Sequence, residues 1–495
     1  MPKENGTISV VPEAESSASS TSKPVEVEDE LSQNTLPEQE SEAYLLAESK
    51  LRRKVDIRLC TIAGLLCSLN LLDSGIISSA SVTSMLTDLD LTGNRYSVAI
   101  FIFTVSSIIF QLPSTILVRQ AGPRIYFSCV TISFGIITLC TAFITTWKQM
   151  IALRVLLGMT MSGIYPGLSY LISTWYTRKE QQLRFAFLQT GEVIILATGS
   201  IANWGLNHLD HRQSLRGWQW MFLVQGIITT FLGLLTYIWM VDFPERSQNS
   251  FKFLTPAETS LAISRINTDR SDGSKPAPIT PAAILNPFLD PKLYIFSLLF
   301  FLLNIVSTAL SYFLPIILQS GMGFSTNKSI LLSAPPYYYA VIPVLLTSYL
   351  SDKYSLRAPI IIFNALTLIL GFCLLGFPVN VTVRYIGVYL ATGAYISNWA
   401  ALNAYQANNI TGQWKRATIA AAVAACNGLG GIAGSYIVVS REAPRYMTAI
   451  WVSIGSHVVM IALVAGTTVG FWWANRRARA GRGVIEGVKG FRYTY

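Results

Sequence analysis

The sequence predicts an all-α membrane protein, with twelve transmembrane helices in two pseudo-symmetric bundles of six. Three observations carry that expectation. Of 495 residues, 51% are hydrophobic and 13% charged, with mean hydropathy +0.44, whereas soluble domains carry about 25% charged residues. Twelve apolar segments, each near the roughly 20 residues that a hydrocarbon core requires, follow one another along the chain. A polar stretch of about fifty residues divides them six and six.

Residues 1–48 are rich in Ser, Glu, Pro and Thr and poor in aromatics. Such a composition buries too little apolar area to offset the entropy of ordering, so a disordered cytoplasmic tail is expected. No cleavable signal peptide is evident. Lys50, Arg52, Arg53 and Lys54 form a basic collar before the first span. The spans are expected at 56–79, 96–118, 125–145, 149–175, 184–206 and 218–241, giving a first bundle within 49–241. A cytoplasmic central loop, 242–292, follows. The second bundle, 293–474, carries spans at 293–318, 330–350, 358–378, 384–405, 417–440 and 449–474, and a basic tail occupies 475–495.

Counting Lys and Arg sets the orientation. On the side holding both termini, the collar, short loops, central loop and C-terminal tail carry 25 and the opposite loops 8, which puts both termini in the cytoplasm. The net charge of +10 is thereby accounted for as a topology signal, with no nucleic-acid partner expected. The tail residues Arg476, Arg477, Arg479, Arg482, Lys489 and Arg492 suit anionic lipid head groups or serve only as a topology determinant. Asn327-Lys-Ser and Asn380-Val-Thr are glycosylation sequons in outward loops. The six cysteines fall in apolar runs without CxxC or Cys/His spacing, which reads as packing, with neither disulfides nor a metal site. Walker A, GxGxxG, HExxH and GxSxG signatures are absent, so neither an enzyme nor an ATP-driven pump is expected, and no cofactor.

The polar residues inside the spans are the candidates for chemistry, because a charge at membrane depth costs from about 2.5 to more than 10 kcal/mol unless it is paired or wet. Asp73, in Asn70-Leu-Leu-Asp73-Ser74, is suited to carrying a proton, or else pairs with a cation. Arg154 opens the stretch Arg154–Glu180, which contains Gly158, Gly163, Pro166 and Gly167. It would hold an organic carboxylate, alternate between substrate and Asp73, or lock helix packing. Glu192, in Gln189-Thr-Gly-Glu192, is a second acid that should point inward, as a proton or binding site, or as a neutral acid bonded to another helix. The glycines read as close-packing positions and the prolines as bends. Gln189, one phenol of the run Tyr337-Tyr338-Tyr339, placed at Tyr338, and the amides Asn304 and Asn403 complete a candidate substrate set, while Asn364, Asn398 and Asn427 bind substrate if they face inward or else bridge helices, and His457 reads as structural.

The chain resembles the major facilitator superfamily, and more closely its anion:cation symporter family, in the fungal allantoate-permease-like branch. The resemblance runs through Gln111-Leu-Pro-Ser114 with Gly122-Pro-Arg124, Arg154 with Leu157-Gly158, and Gly163 with Tyr165-Pro166-Gly167. It continues in Trp175-Tyr-Thr-Arg-Lys-Glu180, Gly217-Trp-Gln-Trp-Met-Phe222, Asp242-Phe-Pro-Glu245, Asp352-Lys353 with Arg357, Thr411 to Ala417 and Ala443-Pro-Arg-Tyr446. It implies two bundles around a proton-coupled site worked by alternating access, and a small organic anion or related solute as cargo. It also implies that Arg119, Arg124, Asp352, Lys353 and Arg357 form a cytoplasmic charge latch. The family pattern places Asp-Arg in the first helix and, in the fourth, an arginine followed two turns later by a glutamate. Here Asp73 and Arg154 match, whereas Ser74 and Met161 stand at the other two places, and Glu192 is offered as the replacement acid.

Loss of one guanidinium removes a bidentate carboxylate clamp. A monocarboxylate or vitamin- or ureide-like compound is therefore expected over a dianion. The expectations are a proton-coupled, monomeric transporter in a lipid bilayer, at the plasma membrane before the vacuolar one. An exporter of a pathway product and a non-transporting solute receptor are the alternatives.

Overall fold

The computed structural model describes residues 38–91, 93–249, 253–271, 286–411, 413–482, 484–487 and 491–495. All regular structure among them is helical. The chain forms two compact units, Met1–Lys50 and Leu51–Tyr495.

A helix runs over Glu38–Val55, so the structure departs from the sequence reading, which expected disorder through residue 48. Its sequence has neither Gly nor Pro and ends in Arg52, Arg53 and Lys54, cations that complement the carboxyl end of a helix. The rest of the expected tail lies outside the described residues. The central loop likewise holds a helix, Pro256–Ser271, docked through Arg265, which donates to the Trp175 carbonyl at 3.2 Å and pairs with Glu180 at 3.1 Å.

Twelve long helices follow the basic collar: α1 (Thr61–Ala80), α2 (Arg95–Ala121), α3 (Pro123–Thr141), α4 (Trp147–Met161, continued by Ile164–Trp175), α5 (Arg178–Asn207), α6 (Gly217–Trp239), α7 (Pro291–Ile316), α8 (Ala334–Tyr354), α9 (Ala358–Gly376), α10 (Val381–Asn409), α11 (Gln413–Gly434) and α12 (Met447–Arg479). Among the described residues, eight spans are long and apolar enough to cross a membrane, and a ninth is α2, bent by 53° where Pro113 interrupts its ladder. Among the other three, α5 and α10 carry polar residues such as Gln189, Glu192, Asn398 and Asn403, and α11 is apolar over the shorter stretch Thr418–Gly434.

Pairing within the first six helices is repeated in the second six. Helix α1 packs on α5, α2 on α4 and α3 on α6; correspondingly, α7 packs on α11, α8 on α10 and α9 on α12. The halves meet through α1 with α7, α5 with α8 and α2 with α11. We call the end where α1 begins and α12 finishes the tail face, and the other end the loop face. One apolar cluster joins both halves near the loop face, where Ile76, Ile77, Tyr96 and Ile100 belong to the same core as Leu310 and Leu314. A second cluster, from Leu51 to Trp175 and Met240, joins the first half to Ala262 of the central-loop helix and lies toward the tail face. Apolar packing therefore closes the halves together at the loop face.

Candidate functional site

Asp73 lies seven positions before the end of α1 at Ala80, and Arg154 seven positions after the start of α4 at Trp147. At 1.5 Å per residue both sit about 10 Å below the loop-face ends of their helices, so they meet at one depth. Arg154 Nη1 donates to Asp73 Oδ2 at 2.7 Å, with both side chains 0% exposed. The pair is under-satisfied: Asp73 Oδ1 and Arg154 Nε and Nη2 have no hydrogen-bond partner among the described residues. The Phe103 ring lies 5.9 Å from the guanidinium carbon. Tyr96 and Tyr312 stand within electrostatic reach of both charges. Removing one member of such a pair leaves an uncompensated buried charge, typically costing about 3–5 kcal/mol.

Close packing sets the position of Arg154. One turn on, Gly158 lets α4 press against α2 so tightly that a Cβ there would lie 2.4 Å from the Phe103 carbonyl oxygen. Ser106 on α2 donates to the Val155 carbonyl at 2.7 Å.

A second polar group lies toward the tail face. Tyr165 falls eleven residues after Arg154, three helical turns and about 16 Å along α4, on nearly the same face. It is 56% exposed and lies within electrostatic reach of Glu192 and Cys67. Glu192, half-buried on α5, lies within electrostatic reach of Cys67 on α1, and Gln189 lies half-buried one turn earlier.

Hydrogen bonds between the halves continue the closure at the loop face. Tyr96 donates to the Tyr312 carbonyl at 3.0 Å, and Gln319 and Thr326 both donate to the Val82 carbonyl at 3.2 Å. Asn207 donates to Asn327 Oδ1 at 2.6 Å, and the Thr198 and Tyr338 hydroxyls lie 2.8 Å apart.

The structure thus brings Asp73 and Arg154 together and places Glu192 and Gln189 on the neighbouring α5. It places other candidates elsewhere. Tyr338 shares an exposed face of α8 with Ile342 and Leu345, at the seam with α5. The buried phenol of that run is Tyr337, which lies within electrostatic reach of Tyr395 among α7, α8 and α10. Periodicity could not choose among three consecutive tyrosines; the exposed apolar residues at 342 and 345 were the usable signal. Asn304 joins α7 to α11 by donating to the Asn427 carbonyl at 2.7 Å. Asn403, exposed, donates to the Trp399 carbonyl on its own helix.

Of the latch residues, Arg119 stacks over Tyr170 at 4.4 Å, and Arg124 donates to the Tyr237 carbonyl at 2.7 Å. Lys353 lies by the Tyr349 and Tyr354 rings, and Arg357 donates to Ser351 Oγ at 2.7 Å. These partners all belong to the residue's own half. The Asp352 side chain lies outside the described residues. Asn327 is half-buried in the loop-face seal, while Asn380 is exposed and caps α10 by accepting from the Thr382 amide at 2.9 Å.

The sequence did not point to Tyr96, Tyr312 or Glu486. Glu486 accepts from Lys292, from Lys415 at 2.6 Å and from the Tyr493 hydroxyl at 2.9 Å. It docks the final residues on the second half, with Tyr493 stacked on Phe471 at 4.3 Å. Part of the basic tail is thus packed against the bundle.

Comparison with known proteins agrees with this architecture. The model of the Major Facilitator Superfamily matches residues 63–435. The chain is 29% identical over 449 residues to the MFS-type transporter cnsO of Penicillium expansum, covering 89% of this chain and 86% of the relative. It is 28% identical over 417 residues to the high-affinity nicotinic acid transporter of Saccharomyces cerevisiae, covering 84% and 76%. Among solved structures, the E. coli xylose transporter XylE in a partially occluded inward-open conformation superposes with a TM-score of 0.65, at 14% identity, over 83% of this chain and 98% of that one. That likeness establishes the shared fold. The chain belongs to the Major Facilitator Superfamily and is a multi-pass membrane transporter of a small solute, not an enzyme.

Proposed function

We propose that this transporter carries a small organic monocarboxylate together with protons, by alternating access, with Asp73 as proton carrier and Arg154 as the cation that meets the substrate. The observation that carries the reading is the fully buried Asp73–Arg154 pair with three polar atoms unpartnered. When Asp73 is ionised it neutralises Arg154. When it is protonated, the guanidinium has lost its counter-charge, and a substrate carboxylate restores neutrality. Substrate and the Asp73 charge thereby alternate on one cation, and proton and anion travel as a neutral sum.

Glu192, Gln189 and Tyr165 would form the approach from the tail face, with Glu192 as the second proton site. The seal at the loop face makes this an inward-facing state if the tail face is cytoplasmic, the orientation that the lysine and arginine count supports. The anion:cation symporter branch, a plasma-membrane setting and a monomeric state belong to the same reading. Its monoanion preference follows from a single guanidinium in place of two, and nicotinic acid, named for one relative, is itself a monocarboxylic acid.

The test is uptake into proteoliposomes under an imposed pH gradient, with nicotinate among the acids tried. Wild-type protein should accumulate a monocarboxylate only when the outside is acidic. Asp73→Asn should abolish accumulation while leaving part of the exchange across equal pH, and unchanged pH-driven uptake by Asp73→Asn would remove the residue from the mechanism.

A further inference from the structure

Two buried asparagines at the tail-face end of the second half hold a short peptide by its main chain. Asn475 of α12 accepts from the Tyr493 amide at 2.9 Å and donates to the Tyr493 carbonyl at 2.8 Å. Asn409, the last residue of α10, accepts from the Thr494 amide at 2.8 Å and donates to the Thr494 carbonyl at 3.0 Å. Its other N–H goes to the Tyr405 carbonyl on its own helix at 3.0 Å, which orients the amide. A side-chain amide offers an acceptor beside a donor, as a peptide group does, so each asparagine pairs with one residue much as a neighbouring β-strand would.

A slot for one aromatic ring lies beside this clamp. Tyr493 stacks on Phe471 of α12 at 4.3 Å, with 19° between the rings. Its hydroxyl donates to Glu486 at 2.9 Å and accepts from Lys292 of α7 at 3.0 Å. Two residues on, the Tyr495 carbonyl accepts from the amide of Arg357, just before α9, at 3.3 Å. The segment thereby touches the tail-face ends of α7, α9, α10 and α12. Walls and occupant differ in burial: Asn409, Asn475 and Phe471 are 0%, 2% and 6% exposed, whereas every residue from Phe491 to Tyr495 is half-buried or exposed. The occupant can therefore leave for water without unfolding a helix.

We infer that the tail-face end of the second half is a peptide-binding groove, with the chain's own segment Phe491–Tyr495 as its exchangeable occupant, and that occupancy braces the helix ends it touches. The clamp reads main chain and is indifferent to the side chain at position 494, while the slot selects a phenol at 493. The ligand class is an extended peptide that presents a tyrosine followed by any residue but proline, which lacks the N–H that Asn409 needs. Asp73 and Arg154 lie in the other half, so groove occupancy is measured without reference to the solute carried.

The full chain carrying Tyr493→Ala with Thr494→Pro loses the ring and the Asn409-bound amide, and its groove should be open. The probe is a fluorescent synthetic peptide of residues 484–495, its binding followed by anisotropy in detergent. It should bind this variant at least about tenfold more tightly than wild type, whose tethered occupant competes at high effective concentration. A probe carrying Thr494→Ala should bind within about threefold of the original, and one carrying Thr494→Pro about tenfold more weakly, as expected for a lost main-chain bond. Protection of the Arg357 amide from hydrogen exchange should fall in the variant and return when the probe saturates it. Equal binding of the probe by wild type and variant overturns the inference, as does no binding to a variant that unfolds thermally like wild type. A probe carrying Thr494→Pro that binds as well as the original overturns the main-chain reading, and Arg357 protection that ignores occupancy overturns the brace. Wild type that runs as a dimer where the variant runs as a monomer would assign the occupant to a second copy and overturn the intramolecular assignment.

Discussion

Asp73 and Arg154 meet between α1 and α4 through a single hydrogen bond of 2.7 Å, with both side chains fully buried. A carboxylate and a guanidinium commonly engage through two parallel bonds. Here one carboxylate oxygen and two guanidinium nitrogens lack partners among the described residues. A pair built only to hold two helices together would have its remaining polar atoms satisfied. This one retains unused hydrogen-bonding capacity, which the proposed substrate carboxylate would take up.

Stability should follow that incomplete pairing. Asp73→Ala strands a buried guanidinium and is expected to destabilise the detergent-solubilised protein by about 3–5 kcal/mol. The double variant Asp73→Asn with Arg154→Gln, which removes both charges, should recover most of that loss. Thermal unfolding of the three proteins checks it, and a double variant as unstable as Asp73→Ala would show that the charge is not the cause. Arg154→Lys should raise the KM for a carboxylate, because an ammonium offers a point charge in place of a planar fork.

Tyr165 tests the proposed approach from the tail face. Its exposed position predicts that Tyr165→Cys is labelled by a membrane-impermeant thiol reagent applied to the tail-face side, in a background lacking the six native cysteines. Substrate should slow the labelling. Reaction only from the loop-face side would contradict the state described.

Twelve spans in two halves could be read from hydropathy because lipid-facing surfaces must be apolar over a fixed length. The same reasoning singled out Asp73, Arg154 and Glu192, since a charge at membrane depth needs a partner. Which partner it has depends on helix packing, and only the structure shows that Arg154 meets Asp73 while Glu192 lies in the neighbourhood of Cys67. Tyr338 illustrates the limit: three adjacent tyrosines span most of a helix circumference, and the inward-facing one is fixed by neighbours on α10. Tyr96 and Glu486 act through a backbone carbonyl and through residues distant in the chain, neither of which leaves a local pattern.

Two glycines in the first half should behave oppositely. A Cβ at Gly158 would lie 2.4 Å from the Phe103 carbonyl and 2.8 Å from Ser106 Cβ, whereas at Gly191 nothing stands within 4 Å. Gly158→Ala is expected to push α4 from α2, lowering stability by about 1–3 kcal/mol and displacing Arg154 with a loss of transport. Gly191→Ala should be neutral or stabilise by up to about 1 kcal/mol, through helix propensity. Thermal unfolding and uptake of the two variants decide it, and equal behaviour would mean that the α2–α4 approach is softer than the structure shows.

The docked tail carries a pH prediction outside the membrane. Burial alone would raise the Glu486 carboxyl, but the bonds from Lys292, Lys415 and Tyr493 outweigh it and hold the group down at about 2. Since an unfolded glutamate titrates near 4.3, Glu486 stabilises the docked tail fully above that pH. The contribution is lost as pH falls toward 2, when the carboxylate takes a proton and surrenders the lysines. Amide hydrogen exchange at Tyr493 and Thr494, whose N–H groups donate to Asn475 Oδ1 at 2.9 Å and to Asn409 Oδ1 at 2.8 Å, reports this opening. Corrected for intrinsic rates, protection should be flat between about pH 5 and 8 and decline below about 4. Glu486→Gln should lower it by about tenfold across the flat range, as expected for losing charge-assisted bonds. Unchanged protection in Glu486→Gln would assign the docking to the Tyr493–Phe471 stack and the two asparagines, with the charge cluster a bystander.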